Sequence, residues 1–159
     1  MSSPKMMGYP VDTRFSKQPV TQTVRLEALG KVGLFKGVSR RSLMKIDQMS
    51  EVRSAFTGDV VVAQGEPGSD AMVILDGSAA VTRGNRKLGV LSVGQVFGEM
   101  ALLDNQPRDA TVTALEPMRM LVIHGPAFRK LMAKVPGLTD ALLATLSMRL
   151  REANAAAEL

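Results

Sequence analysis

The sequence predicts a mainly β chain with flanking helices: an antiparallel, jelly-roll-like β-roll preceded by N-terminal helices, interrupted by one short helix and closed by C-terminal helices. Three observations predict it. Between residues 52 and 123, short β-prone runs recur, each closed by a Gly, Asn, Asp or Pro signal, the rhythm of sandwiches and rolls. Apolar spacing of helical period is confined to the two flanks, where it marks amphipathic helices. One interval, Phe97 to Pro107, breaks the strand rhythm with a short apolar helical piece and the polar loop Asp104-Asn105-Gln106-Pro107.

Taken in order, residues 1–22 carry Pro4, Gly8, Pro10 and Pro19 among Ser, Thr and Gln with no apolar period, and are expected to form a flexible arm. The folded domain is expected over residues 23–159. A short helix is expected around Val24 to Leu29, followed by Leu34 and Phe35. Ser39 then serves as N-cap of a helix carrying Leu43, Ile46 and Met49 on one side, its hydroxyl taking up an orphan amide of the first turn. Strands are expected at Val52–Phe56, Val60–Ala63, Met72–Leu75, Ala79–Arg83, Lys87–Leu91, Ala110–Ala114 and Met118–Ile123. The segments between them, Thr57-Gly58-Asp59, Gly65-Glu66-Pro67-Gly68, Gly84-Asn85 and Glu116-Pro117, are turn chemistry. Met100 to Leu103 form the interrupting helical piece. Gly125-Pro126 open a helix to about Lys134, and Pro136-Gly137 break it before a long final helix. In that helix Leu138, Leu142, Leu146 and Leu150 recur every four residues as one apolar stripe.

Composition bounds the function classes. A chain of 159 residues supports one domain with a real core. With 4% aromatics and no Trp, that core must be aliphatic and methionine-filled. The absence of Cys excludes disulfides and thiolate chemistry. No apolar run reaches the roughly 18 residues of a membrane span and no secretory pattern opens the chain, so a cytoplasmic protein without membrane contact is expected. The net charge of +5 is dispersed, with no basic block or aromatic interleaving, so a solvated surface is expected in place of a nucleic-acid track. A single histidine, His124, at a strand end, with no metal-ligand cluster or nucleophile–base pair, gives no basis for an enzyme or a metal cofactor.

The interrupted interval carries the candidate site. Gly98 permits close backbone approach, the amides near Met100 and Ala101 open the short helix, and Arg108 lies beyond the loop. Amides and a guanidinium can converge on one phosphate, while Glu99 can accept from a sugar hydroxyl. The string Phe97-Gly98-Glu99-Met100-Ala101-Leu102-Leu103, then Pro107-Arg108-Asp109-Ala110-Thr111-Val112, closely resembles the phosphate-binding cassette of the cyclic-nucleotide-binding domain family, found in CRP, protein kinase A regulatory subunits and cyclic-nucleotide-gated channels. The resemblance extends through Phe56-Thr57-Gly58-Asp59, Gly65-Glu66-Pro67-Gly68, Ile74, Gly77, Val81, Leu91 and Gly94 and covers roughly residues 24 to 152.

The resemblance implies a ligand, cyclic AMP or cyclic GMP, and no other cofactor. It implies that Glu99 takes the ribose 2′-hydroxyl, Arg108 the cyclic phosphate, and the amides of Gly98, Ala101 and Ala110 the rest of the phosphate cradle. Val81, Leu88, Val96 and Val112 are expected to form the apolar slot, and Phe97 and Met100 of the cassette are counted among the ligand-site residues. The final helix would close over the base, with Arg149 or Arg151 either reaching the purine or remaining solvated. The sequence departs from the family at Asp109, where Ser, Thr or Ala is usual. A carboxylate facing the phosphate at ~5 Å and an effective dielectric of ~20 repels it by about 3 kcal/mol, on the order of a hundredfold in affinity. Either Asp109 turns away and pairs with Arg108, replacing an acidic residue that many relatives place at the position of Ser69, or it meets the amine edge of a guanine.

The expected function is a nucleotide-operated regulatory module that signals through movement of the final helix to a protein partner or a second copy. The alternative is a scaffold of the same fold that binds no nucleotide and serves protein–protein interaction. Many relatives join the module to a DNA-binding helix-turn-helix, but the chain ends at Leu159 with no recognition helix, so no direct DNA binding is expected.

Overall fold

The computed structural model describes residues 19–157; the arm expected over residues 1–22 falls almost wholly outside them. The described residues begin with two helices, α1 (Gln22–Gly30) and α2 (Arg40–Gln48), separated by a 3-10 turn at Gly33–Phe35. Thr21 caps α1 by accepting from the Val24 amide at 3.3 Å. Ser39 caps α2 by accepting from Ser42 at 3.2 Å, as its position in the sequence predicts. Eight strands follow: β1 (Ser50–Ala55), β2 (Val60–Val62), β3 (Ala71–Asp76), β4 (Ala79–Arg83), β5 (Arg86–Leu91), β6 (Val96–Phe97), β7 (Thr111–Ala114) and β8 (Met118–Ile123). A second 3-10 turn, Glu99–Leu102, stands between β6 and β7, and the described residues end with α3 (Gly125–Lys134) and α4 (Pro136–Ala157).

The strands form two antiparallel four-stranded sheets, ordered β1-β8-β3-β6 and β2-β7-β4-β5. The first sheet is covered on both faces, and alternation along its central strands sorts the side chains accordingly. Ala71 and Val73 of β3, with Leu121 and Ile123 of β8, face the helices; Met72 and Ile74, with Met118, Met120 and Val122, face the second sheet. Two-sided burial explains why these strands read as nearly unbroken apolar runs. The helix-side core gathers Leu29, Leu34, Phe35, Ile46, Phe128, Leu138 and Leu142. In it the Phe35 and Phe128 rings stack at 5.4 Å and lock the N-terminal turn to α3. The scarcity of aromatics is met between the sheets by three buried methionines.

Strand ends differ by one residue from the expectations at β2, β3, β5 and β7, the helical piece expected at Met100 to Leu103 is a 3-10 turn at Glu99–Leu102, and three further details depart. Residues 96–97 form a two-residue strand paired with Met72 and Val73, too short to carry a periodic signal. The strand expected at Val52–Phe56 starts two residues earlier. The leucine stripe of the final helix is not straight: Leu138 and Leu142 are 1% exposed and Leu146 packs on the core, but Leu150 is 62% exposed. Twelve residues at 3.6 per turn carry Leu150 about 120° around the helix from Leu138, so a strict four-residue repeat leaves the core. No helix among the described residues is long and apolar enough to cross a membrane.

Candidate functional site

The second sheet, β6 and the segment after it enclose a cavity of about 570 Å³, within the roughly 300–1,000 Å³ usual for small-molecule sites. Its apolar wall is Val62, Val81, Leu91, Val96, Phe97 and Val112. Its polar rim is Gly98, Glu99, Met100, Ala101, Arg108, Asp109 and Ala110, completed by the loop residues Asp104, Gln106 and Pro107. All the expected site residues therefore meet around one cavity, except Leu88 and Arg149. Val62 and Leu91 are added. Leu91 takes the place expected for Leu88 because β4 and β5 pair Val81 with Gly89 and then Thr82 with Lys87. Leu88 is the bulged residue of that shift, outside the alternation, and is exposed.

Arg108 is placed by backbone first. Its amide donates to the Glu66 carbonyl at 2.9 Å and its carbonyl accepts from Gly65 at 2.7 Å, which staples the cassette to the Gly65–Gly68 turn. Its guanidinium then runs between two glycines. A Cβ at Gly68 would overlap it, and one at Gly98 would lie 2.6 Å from Nη1. Gly98 is required twice, since it also holds φ +74, where other L-residues are penalised. Nη2 donates to the Asp70 carbonyl at 2.9 Å. The Asp70 carboxylate accepts from the Gly125 amide at 3.1 Å and lies 3.6 Å from His124, so Asp70 ties the guanidinium to the start of α3. Burial pulls Arg108 below the usual arginine range, and the Asp70 charge opposes that shift. An arginine so placed keeps its charge at neutral pH and presents it, partly desolvated, to an anion in the cavity.

The helical piece after β6 is a four-residue 3-10 turn, and its Ala101 amide already donates to the Gly98 carbonyl at 3.1 Å. Positive character at the rim therefore comes chiefly from Arg108. Glu99 opens this turn and is a junction. Its Oε1 accepts from the Leu34 amide at 2.5 Å, and both its oxygens lie 3.4 Å from Arg149 Nη2. One carboxylate thus joins the cassette to the N-terminal 3-10 turn and to α4. Arg149 is turned toward Glu99 and does not line the cavity. Gly33 makes room for it, since a Cβ there would lie 2.5 Å from Arg149 Nη2.

Asp109 corrects one expectation. It turns away, but its partner is Arg83 at the end of β4, not Arg108. Arg83 Nε donates to the Asp109 carbonyl at 2.9 Å and Nη2 to the carboxylate at 3.4 Å. The Asp109 side chain is 90% exposed, held at the outer rim in solvent and not packed against Arg108. Arg108 is backed instead by Asp70, the neighbour of Ser69. Sequence reasoning missed Asp70, Arg83 and the Leu34 amide as parts of the site. Gly65, Glu66 and Gly68 were signalled as members of the turn motif, and Leu91 as part of the resemblance. Among the described residues no group of three His, Cys, Asp or Glu could hold a metal ion.

Residues 52–135 match the family model described as cyclic nucleotide-binding domain. The chain is 36% identical over 118 residues to the cAMP-dependent protein kinase regulatory subunit of Mycosarcoma maydis, covering 69% of this chain and 22% of that protein. It is 27% identical over 133 residues to the CRP-like cAMP-activated global transcriptional regulator of Mycobacterium tuberculosis, covering 80% of this chain and 59% of that one. The chain thus spans less than two thirds of either relative. Among solved structures, the N-terminal domain of a transcriptional regulator from Streptomyces coelicolor superposes with a TM-score of 0.72 at 26% identity, covering 78% of this chain and 90% of the other.

Proposed function

The chain belongs to the cyclic nucleotide-binding domain family, and we propose that it is a regulatory module operated by cyclic AMP or cyclic GMP, with residues 23–159 as the binding unit. The observation that carries this reading is the convergence of Arg108 and Glu99 on the rim of a cavity whose opposite wall is apolar. The guanidinium matches the charge and oxygens of a cyclic phosphate, the carboxylate matches a ribose hydroxyl, and the valine wall suits the sugar and a purine face. The relatives named as cAMP-dependent and cAMP-activated support the ligand class.

The signal leaves through Glu99. A carboxylate offers about four acceptor sites, and two donors, Leu34 and Arg149, already use this one. A ribose hydroxyl arriving there redistributes those contacts. The 3-10 turn at Gly33–Phe35 and α4 then settle differently in the bound and free states. By linkage, a partner that prefers one setting of α4 shifts nucleotide affinity by the same factor. The proposed output surface is the exposed side of α4 that carries Leu143 and Leu150, one heptad apart, facing a protein partner or a second copy.

The alternative, a scaffold that binds no nucleotide, draws on the same observation that Glu99 is satisfied within the chain. Thermal melting separates the two. At a nucleotide concentration of about 100 Kd, binding stabilises the fold by about 2.7 kcal/mol, which raises Tm by roughly 5–10 °C. An unchanged Tm at millimolar cyclic AMP and cyclic GMP overturns the nucleotide reading in favour of the scaffold.

A further inference from the structure

Arg108 and Asp109 are adjacent, carry opposite charges and both line the cavity, yet they are held in different directions. Arg108 is drawn inward to the Asp70 carbonyl, while Asp109 is drawn to the outer rim by Arg83. The hold on Asp109 is two-pronged, since one guanidinium takes both its backbone carbonyl and its carboxylate. Arg83 is itself anchored where β4 ends. The adjoining turn is fixed by Gln64, whose side-chain Oε1 accepts from the Gly84 amide at 2.8 Å and whose backbone N–H donates to Thr111 Oγ1 at 2.9 Å. These bonds brace the turn beside Arg83 against the residues next to β2 and in β7.

We infer that Arg83 is a positioning residue of the nucleotide site, which holds the Asp109 carboxylate outward and neutralises it, so that Arg108 presents its charge to the phosphate unopposed. The inference rests on the proposed nucleotide binding. Arg83 acts on the ligand only through Asp109. A cyclic phosphate is a monoanion, and an uncompensated carboxylate next to its principal cation repels it. Because the pair is solvent-exposed, it contributes little to folding. Its effect on the ligand is a field effect and is weakened by salt.

The test is titration calorimetry with cyclic AMP and cyclic GMP on the unmodified chain and on Arg83→Ala, Arg83→Lys, Asp109→Ser and Arg83→Ala/Asp109→Ser, each at low and at high salt. Arg83→Ala is expected to weaken binding by about three- to tenfold at low salt, with the loss shrinking at high salt and Tm changing by no more than about 2 °C. Arg83→Lys should recover part of the loss, and adding Asp109→Ser should remove it. If the unmodified chain binds and Arg83→Ala binds equally well, the inference is overturned. An equal loss on the Asp109→Ser background overturns it too, because Arg83 then acts on the ligand directly or through the fold. Failure of the unmodified chain to bind either nucleotide overturns the proposed function, and this inference with it.

Discussion

Replacing Gly98 by alanine perturbs the site at the point where backbone conformation and the phosphate-binding arginine meet. The residue holds φ +74, a left-handed conformation that costs an L-residue about 1–2 kcal/mol. Its new Cβ would also lie 2.6 Å from Arg108 Nη1 and 2.7 Å from the Asp70 carbonyl oxygen. The arginine end can move, but the carbonyl belongs to the backbone entering β3, so overpacking adds about another 1–2 kcal/mol. The sum of about 2–4 kcal/mol lowers Tm by roughly 4–16 °C for a chain of this size, read by circular dichroism melting without ligand. At Gly68 the nearest atoms to an added Cβ all belong to the Arg108 guanidinium. Gly68→Ala should therefore leave Tm within about 2 °C while weakening nucleotide binding by at least about tenfold through displacement of the guanidinium. On an Arg108→Ala background Gly98→Ala should cost less by about 0.5–1 kcal/mol, because one of its two clashes is gone. A Tm for Gly98→Ala within about 2 °C of the unmodified chain would refute the positive-φ, close-packed role given to Gly98.

Two further outcomes follow from the last helix. Leu142→Ala, at a buried position of α4, should cost about 2–4 kcal/mol in urea unfolding, whereas Leu150→Ala should stay within about 0.5 kcal/mol; equal effects would contradict the placement of the stripe. Arg149→Ala removes the charged partner of Glu99, which keeps the Leu34 amide, and should lower stability by no more than about 1 kcal/mol. The same change should speed amide hydrogen exchange in α4, and unchanged exchange there would show that this pair does not hold the helix.

The fold was largely legible in the sequence because its punctuation is chemical. Gly84-Asn85 and Glu116-Pro117 bound β4 and β8 at the residues expected, and Gly125-Pro126 opens α3 where its turn chemistry places it. Ser39 was legible as a cap for the same reason, its partner being three residues away. The contacts that complete the site were not legible because they are long-range. Asp70 reaches Arg108 across 38 positions, Arg83 reaches Asp109 across 26, and the Leu34 amide reaches Glu99 across 65. Nothing local marks any of the three. Leu88 misled because a bulge on an edge strand shifts the alternation by one residue, and a bulge has no reliable local signal. Leu150 misled because a repeat of four drifts on a helix of 3.6 residues per turn.

The proposed binding is tested most directly by isothermal titration of the unmodified chain and of Arg108→Ala with cyclic AMP and cyclic GMP at physiological salt. Micromolar or tighter binding of at least one nucleotide, weakened by about a hundredfold or more in Arg108→Ala, is the expected result. Heat for neither nucleotide, or equal affinity in the two proteins, would contradict the assignment of this cavity as a cyclic-nucleotide site.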